Sequence, residues 1–448
     1  TVIAAFLTVI TALPAHADGN HPRGIKLDGT VGSAGALDLP GPNYDIRAEY
    51  GQQAGANLFH SFQQFNIHSD ESATFTGPDS VQNIISRVTG GNASWIDGRL
   101  TSAISGADLF MLNPAGIMFG KNAAVDLSGS FHISTADYLR FGENERFYST
   151  PHANDVLSVS APAAFGFLDS DISPITFEGG EISDPEDENH AVIRVSEGKT
   201  VSVIGGNIEM EGISYRRPAT DEEGNPVYEQ GSPVYETETD ENGNPVQPIE
   251  TMELTDLSAP AGRLDMAAVA SAGEVVPTDT GLDIPSSEKG DITLSDKAKI
   301  DVSGPGGGSL FIRAGEFLAD DSDIHAKTLG DEDGGVIDIQ TDSLSLTETD
   351  MLGNTEGRGK APDITIRTEG RVMLDTVRIH SESGTRDMFL SGDYGELPGG
   401  ELGDAGNILI RAGDVSLRSG AIVSSGSHAG GNAGDTTLMT EGQLSAFG

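Results

Sequence analysis

The feature that most constrains this chain is a unit that recurs after residue 290 and reads Gly or Pro, Asp or Asn, then apolar-x-apolar. Its copies begin at Ile292 (GDITL), Leu310 (GSLFI), Ile337 (GVIDI), Ile364 (PDITI), Ile408 (GNILI) and Thr436 (GDTTL), at intervals of 18, 27, 27, 44 and 28 residues. The longest interval reads as one period plus a loop around residues 386–403. Within a unit, apolar and polar residues alternate in short bursts: Ile364 and Ile366, Val372 and Leu374, then Val377 and Ile379. The next unit repeats the layout with Ile408 and Ile410, Val415 and Leu417, then Ile422 and Val423. Such bursts, separated by Gly or acidic residues, are short strands joined by turns. Three of them describe one coil of a β-solenoid, in which every strand lies parallel to its equivalent one coil earlier at ~4.8 Å.

Competing architectures fit less well. A β-sandwich gives no reason for whole triplets of strands to recur, a propeller needs longer four-stranded repeats, and no sustained 3.6-residue period supports helical repeats. The expected fold class is all-β, a right-handed parallel β-helix with extra-helical loops, its hand following from the preference of parallel crossovers. About fifteen coils would extend roughly 70 Å.

Composition agrees with a repetitive, turn-rich chain: 448 residues carry 58 Gly and only 6% aromatics. Twenty-six basic against 69 acidic residues give a net charge of -43, which opposes binding to nucleic acid or anionic lipid. There is no Cys, so packing and backbone hydrogen bonds must hold the fold, and no disulfide can form in an oxidising periplasm. The apolar run at 2–13 (VIAAFLTVITAL) leads to Ala15 and Ala17 in a small-x-small pattern. Residues 1–17 therefore read as part of a signal peptide cleaved after Ala17, and no later stretch reaches the ~20 apolar residues of a membrane span.

One segment departs from the solenoid pattern. Residues 213–256 are acidic and Pro-rich, with GNPVYE at 224–229 echoed by GSPVYE at 231–236 and GNPV at 243–246. Solenoid-like strands flank it at Ile208 and Leu264, so it reads as an extruded, solvated insert, with a dedicated binding element as the alternative.

Residues 27–141 carry several motifs in order: GANLFHSFQQFNI (55–67), ATFTG (73–77), VQNIISRVTGGNASWIDGRL (81–100) and ADLFMLNPAGIMFG (107–120). Together they resemble the secretion domain of the filamentous haemagglutinin and haemolysin family, whose Asn-Pro-x-Gly-Ile signature is matched at Asn113, Pro114, Gly116 and Ile117. A second segment, LSAPAGRLDMAAVASAGEV (257–275), is similar to a strand and turn of cyanobacterial and related members. The resemblance implies a secretion domain at 18–170, followed over 171–448 by β-helix repeats; because residues 443–448 stop in mid-repeat, the repeats are expected to continue past the last residue. It also implies export via the periplasm by a partner outer-membrane transporter of a Gram-negative bacterium. Asn92, Asn113, Pro114, Gly116 and Ile117 would then matter for secretion, or else simply make turns of the β-helix. Asn-Pro followed by Gly suits a tight turn, because Pro fixes φ and Gly tolerates positive φ.

The expected role is that of an adhesin or extended presentation scaffold at the cell surface, meeting a receptor or glycan that the sequence does not identify. Alternatives are a polysaccharide-active β-helix enzyme and the stalk of a contact-dependent toxin. Carboxylates are abundant, but neither Asp320 with Asp323 nor Asp338 with Asp342 stands out from a generally acidic surface. Arg367 and Arg411 fall at equivalent coil positions, as a stacked outer ladder would place them. The acidic turns at 331–334 and 240–244 lack a closing Glu for calcium, and the ten His show no metal-ligand spacing. His60, inside LFHSF, and Trp95 read as packed residues. No cofactor is expected, since neither a GxSxG elbow nor a complete GxxxxGK[ST] phosphate-binding loop occurs.

Overall fold

The computed structural model describes residues 21–152, 155–182, 192–216, 256–284, 288–384, 402–428 and 430–447, with short strands between 228 and 253. Residues 1–17, with Ala15 and Ala17, most of the acidic insert and the loop at 385–401 lie outside the described residues. Among those described, the sole helical element is a 3-10 turn at Ala48–Tyr50.

The molecule is a parallel β-helix. Asp108–Leu112, Ile117–Phe119 and Ala124–Leu127 make one coil, and Asp363–Thr368, Arg371–Asp375 and Arg378–His380 make another. Equivalent strands pair in parallel register. On the first face this stacks Leu58, Ile84, Leu109, Phe131, Val201, Leu264, Leu310, Ile337, Ile364 and Ile408 in one inward file. All ten are 1% exposed or less, and burying such a side chain contributes about 1.5–3 kcal/mol before chain entropy is charged against it. The alternation read from Ile364 and Ile366 is the inward half of this pleat.

Two expectations need correction. Ile292 opens a strand of the second face, pairing with Ile208 before it and Phe317 after it, whereas Leu310 follows Leu264 on the first face. The Gly-Asp-apolar signature begins strands on both faces, so the spacing from Ile292 to Leu310 is not a coil period. Among the described residues the third face stacks eleven strands, a stack of about 50 Å at ~4.8 Å per rung, not fifteen coils. Excursions use up chain without adding rungs: Leu257–Ser258 pairs directly with Val192–Val195, one rung apart although more than sixty residues intervene.

The first coil is closed by antiparallel strands. Ile25–Asp28 pairs with both Ala36–Asp38 and Asn57–Phe65, and Gln52–Ala54 also pairs with Asn57–Phe65. This covers an edge that would otherwise offer unpaired backbone groups.

A second sheet lies outside the helix, in the order Glu145–Tyr148, Tyr138–Phe141, Pro162–Phe167, Gly273–Thr278, Gly281–Asp283. It covers the outer side of the first face, where Phe59, Ile85, Phe110 and Phe311 pack with Phe141, Phe147 and Phe165 in a second core. Polar clamps hold it down. Glu274 accepts from Tyr138 Oη and Arg140 Nε, each at 2.8 Å, Arg263 Nη2 donates to Gly281 O at 2.8 Å, and Arg313 Nε donates to Leu282 O at 3.1 Å. Buried Asp265 accepts from Arg263 Nε at 2.7 Å; burial pushes its carboxyl up to about 6, against the pull of Arg263.

Candidate functional site

The Asn-Pro-x-Gly turn ends the strand Asp108–Leu112 and begins Ile117–Phe119, so it is the corner between the first and second faces of one coil. Asn113 is fully buried and every polar group on it has a partner. Its backbone N–H donates to Ser134 O at 3.0 Å, one coil later. Its carbonyl accepts from Gly116 N at 3.0 Å, closing a four-residue turn, while Oδ1 accepts from Ala115 N at 3.0 Å. Nδ2 reaches one coil back, donating to Asn92 O and to Ser94 Oγ, both at 3.0 Å. One side chain therefore sets the turn and staples it to the coil before.

Gly116 has φ 111, a conformation open to Gly and strained for any residue with a Cβ. Its carbonyl accepts from Ser94 N at 3.0 Å, a second link to the earlier coil. Pro114 is half-buried at the corner, and Ile117 is fully buried between Ser94 and Ile175 of neighbouring coils. Asn92 differs from the others: its side chain is exposed, and it serves the cluster through its backbone carbonyl.

Further residues in this region were not singled out by their sequence. Asn66, 2% exposed, donates from Nδ2 to Pro22 O at 2.6 Å and accepts at Oδ1 from Trp95 N at 2.8 Å, holding the corner one coil earlier. Asn57 Nδ2 donates to Ser158 O at 2.9 Å and Ser160 O at 2.7 Å, fixing the loop of the outer sheet. Asn57, Asn83 and Asp108 occupy one file, each just before an apolar pair, so the Asn/Asp-before-apolar signal of the later repeats was present here too.

Arg87 is the most connected of these, at 1% exposure. It pairs with Asp155 at 2.6 Å, donates to Ser61 Oγ at 2.7 Å, Thr30 Oγ1 at 3.0 Å and Tyr148 O, and lies 4.4 Å from the Phe147 ring centroid. Thr30 and Ser61 both donate on to Asp28, so the guanidinium joins the amino-terminal cap, the first face and the outer sheet. This network holds the fold, with the Arg87 guanidinium itself almost wholly out of water.

Two of the histidines are also held by neighbours. His60 lies within 3.2 Å of Arg47 O, and burial pushes its pKa down to about 4. His132 Nδ1 is 2.9 Å from Ser202 Oγ, stacks on Phe110 at 4.2 Å and is likewise pushed by burial to about 4. Ser202 has no exposed surface and His132 is partly buried, so the hydroxyl is closed to solvent. Among the described residues no three His, Cys, Asp or Glu are placed to hold a metal ion, and no helix is long and apolar enough to cross a membrane. Asp338, one of the carboxylates considered for catalysis, is held between Arg313 at 2.7 Å and Arg367 at 2.8 Å.

Comparison with known proteins bears on the same region. A family model described as the TPS secretion domain matches residues 25–277. The heme/hemopexin-binding protein of Haemophilus influenzae is 34% identical over 83 residues, which is 18% of this chain and 9% of that protein, so the chain spans less than a tenth of that relative. The crystal structure of the HMW1 secretion domain from Haemophilus influenzae aligns with 89% of this chain and 96% of that one, at 14% identity and a TM-score of 0.39. The family model takes in more than half of the chain, which belongs to the TPS secretion domain family and is a secreted two-partner secretion exoprotein.

Proposed function

We propose that the chain is carried through the periplasm and passed across the outer membrane by a partner transporter, then acts at the cell surface as an adhesin or presentation scaffold. The secretion unit begins after the signal segment, taken as 18–170, and the coils over 171–448 carry the load. Carrying this reading is the buried Asn113 corner, which closes a turn and staples two successive coils inside the region matched by the family. A side chain with that double duty lets each coil template the next as the chain emerges. Asn113, Pro114, Gly116 and Ile117 thus serve secretion through the folding of the corner, with Asn92 contributing its carbonyl.

The test is secretion into medium by cells with and without a matched outer-membrane partner, comparing the native chain with Asn113→Ala and following protease resistance. Export that depends on the partner supports the reading. Equal export in both strains overturns it.

A further inference from the structure

We propose that the groove between the outer hairpin at 273–283 and the corner of the later coils binds a neutral, extended polysaccharide. The proposal deepens the adhesive role above and rests on it.

The groove has a volume of about 1080 Å³ and runs along the helix axis. One wall is apolar, formed by Val276, Leu282 and Ile284. Along the floor Gln340, Arg367 and Arg411 follow one another in parallel register, one residue per rung, continuing a file begun by Arg313, which is itself buried under the hairpin. At ~4.8 Å per rung, the file repeats at close to the length of one sugar ring in an extended chain. Successive sugars therefore meet successive side chains, which neither a compact ligand nor a helical glycan can do.

Charge selects the kind of sugar. Every floor cation already has an acidic partner: Asp338 sits between Arg313 and Arg367, Arg411 meets Glu441 at 3.4 Å, and Lys289 at the rim is bonded to Asp342. No cation is left over for an anionic ligand, and the chain's net charge of -43 repels one. Paired guanidinium and carboxylate groups keep further donors and lone pairs, and a hydroxyl can use both. Charge-assisted hydrogen bonds to hydroxyls, with an apolar wall for the C–H side of the ring, describe recognition of an uncharged polyol.

The test titrates the full chain by calorimetry with cellohexaose, which is extended and neutral, maltohexaose, which is helical, and hexagalacturonate, which is extended and anionic. Cellohexaose is expected to bind saturably and in preference to the other two. Arg367→Ala and Arg411→Ala, both at largely exposed side chains, should each weaken it about tenfold, while Arg378→Ala on the third face leaves it unchanged. Should Arg367→Ala disturb the fold by circular dichroism, Gln340→Ala carries the same expectation. Absence of cellohexaose binding, preference for hexagalacturonate or maltohexaose, or undiminished binding by the groove variants overturns the proposal. Partner-dependent export without cellohexaose binding defeats the groove alone, whereas binding with partner-independent export defeats the export reading alone.

Discussion

The side-chain amide of Asn113 donates to the backbone carbonyl of Asn92 at 3.0 Å, across 21 residues of sequence and one coil of the helix. Removing it orphans the Asn92 carbonyl, Ser94 Oγ and the Ala115 N–H together. Asn113→Ala should cost about 2–3 kcal/mol, while Asn92→Ala, whose backbone keeps the carbonyl, should stay within about 0.5 kcal/mol. Trp95, the sole Trp, is buried beside Ser94 and reports this corner by fluorescence in urea. Equal midpoint shifts for the two variants would show that the staple is not what holds the corner.

Gly116 tests the turn separately from the staple. At φ 111 a Cβ is strained even though its nearest neighbours would stand no closer than 3.4 Å. Gly116→Ala should therefore destabilise by about 1–2 kcal/mol through backbone strain, with the side-chain bonds of Asn113 intact. A Trp95 transition unmoved from the native one would mean that the corner relaxes around the new side chain at no cost.

Arg87 and Asp155 make a coupled pair. Asp155→Ala leaves the guanidinium buried with neutral partners only, at an expected cost of about 3 kcal/mol. Because Arg87 touches both Thr30 and the carbonyl of Tyr148, hydrogen exchange should rise together in the amino-terminal cap and in the strand Glu145–Tyr148. The double variant Arg87→Met with Asp155→Ala should cost less than the sum of the two single changes. Protection lost in one of the two regions only would separate what the structure joins.

The coils were readable because their inward residues alternate with outward ones, as in Ile337, Asp338 and Ile339. Which face a strand belongs to was not, because Gly-Asp-apolar opens Ile292 on the second face and Thr436 on the first alike; only pairing distinguishes them. The outer sheet left a trace that period-2 reading passes over. Leu58 with Phe59, Ile84 with Ile85 and Leu109 with Phe110 are adjacent apolar pairs, which mark a strand buried on both sides. In the corner, the Asn-Pro-x-Gly signature marked the turn, but the staple depends on Ser94 and Asn92 one coil earlier, and Arg87 on partners up to 68 residues away. Such partners become neighbours only once the coils are stacked.

Two histidines, His60 fully buried and His132 partly buried, make the secretion region acid-sensitive. His60 and His132 both sit near pKa 4 in the folded chain, lowered from 6.5 by burial. Between those values the unfolded chain binds more protons, so the stability each contributes is complete above pH 6.5 and is lost as pH falls through 4. The loss is on the order of 3 kcal/mol for His60 and smaller for His132, which keeps some exposure to water. His132→Phe keeps a ring against Phe110 and removes the titration, although Ser202 then loses its partner. At pH 7 the variant should be slightly less stable than the native chain. As pH falls toward 4 its melting temperature should decline less steeply, so that the two curves converge or cross. Curves that remain parallel from pH 7 to 4 would show that His132 carries no proton linkage and that acid sensitivity arises elsewhere.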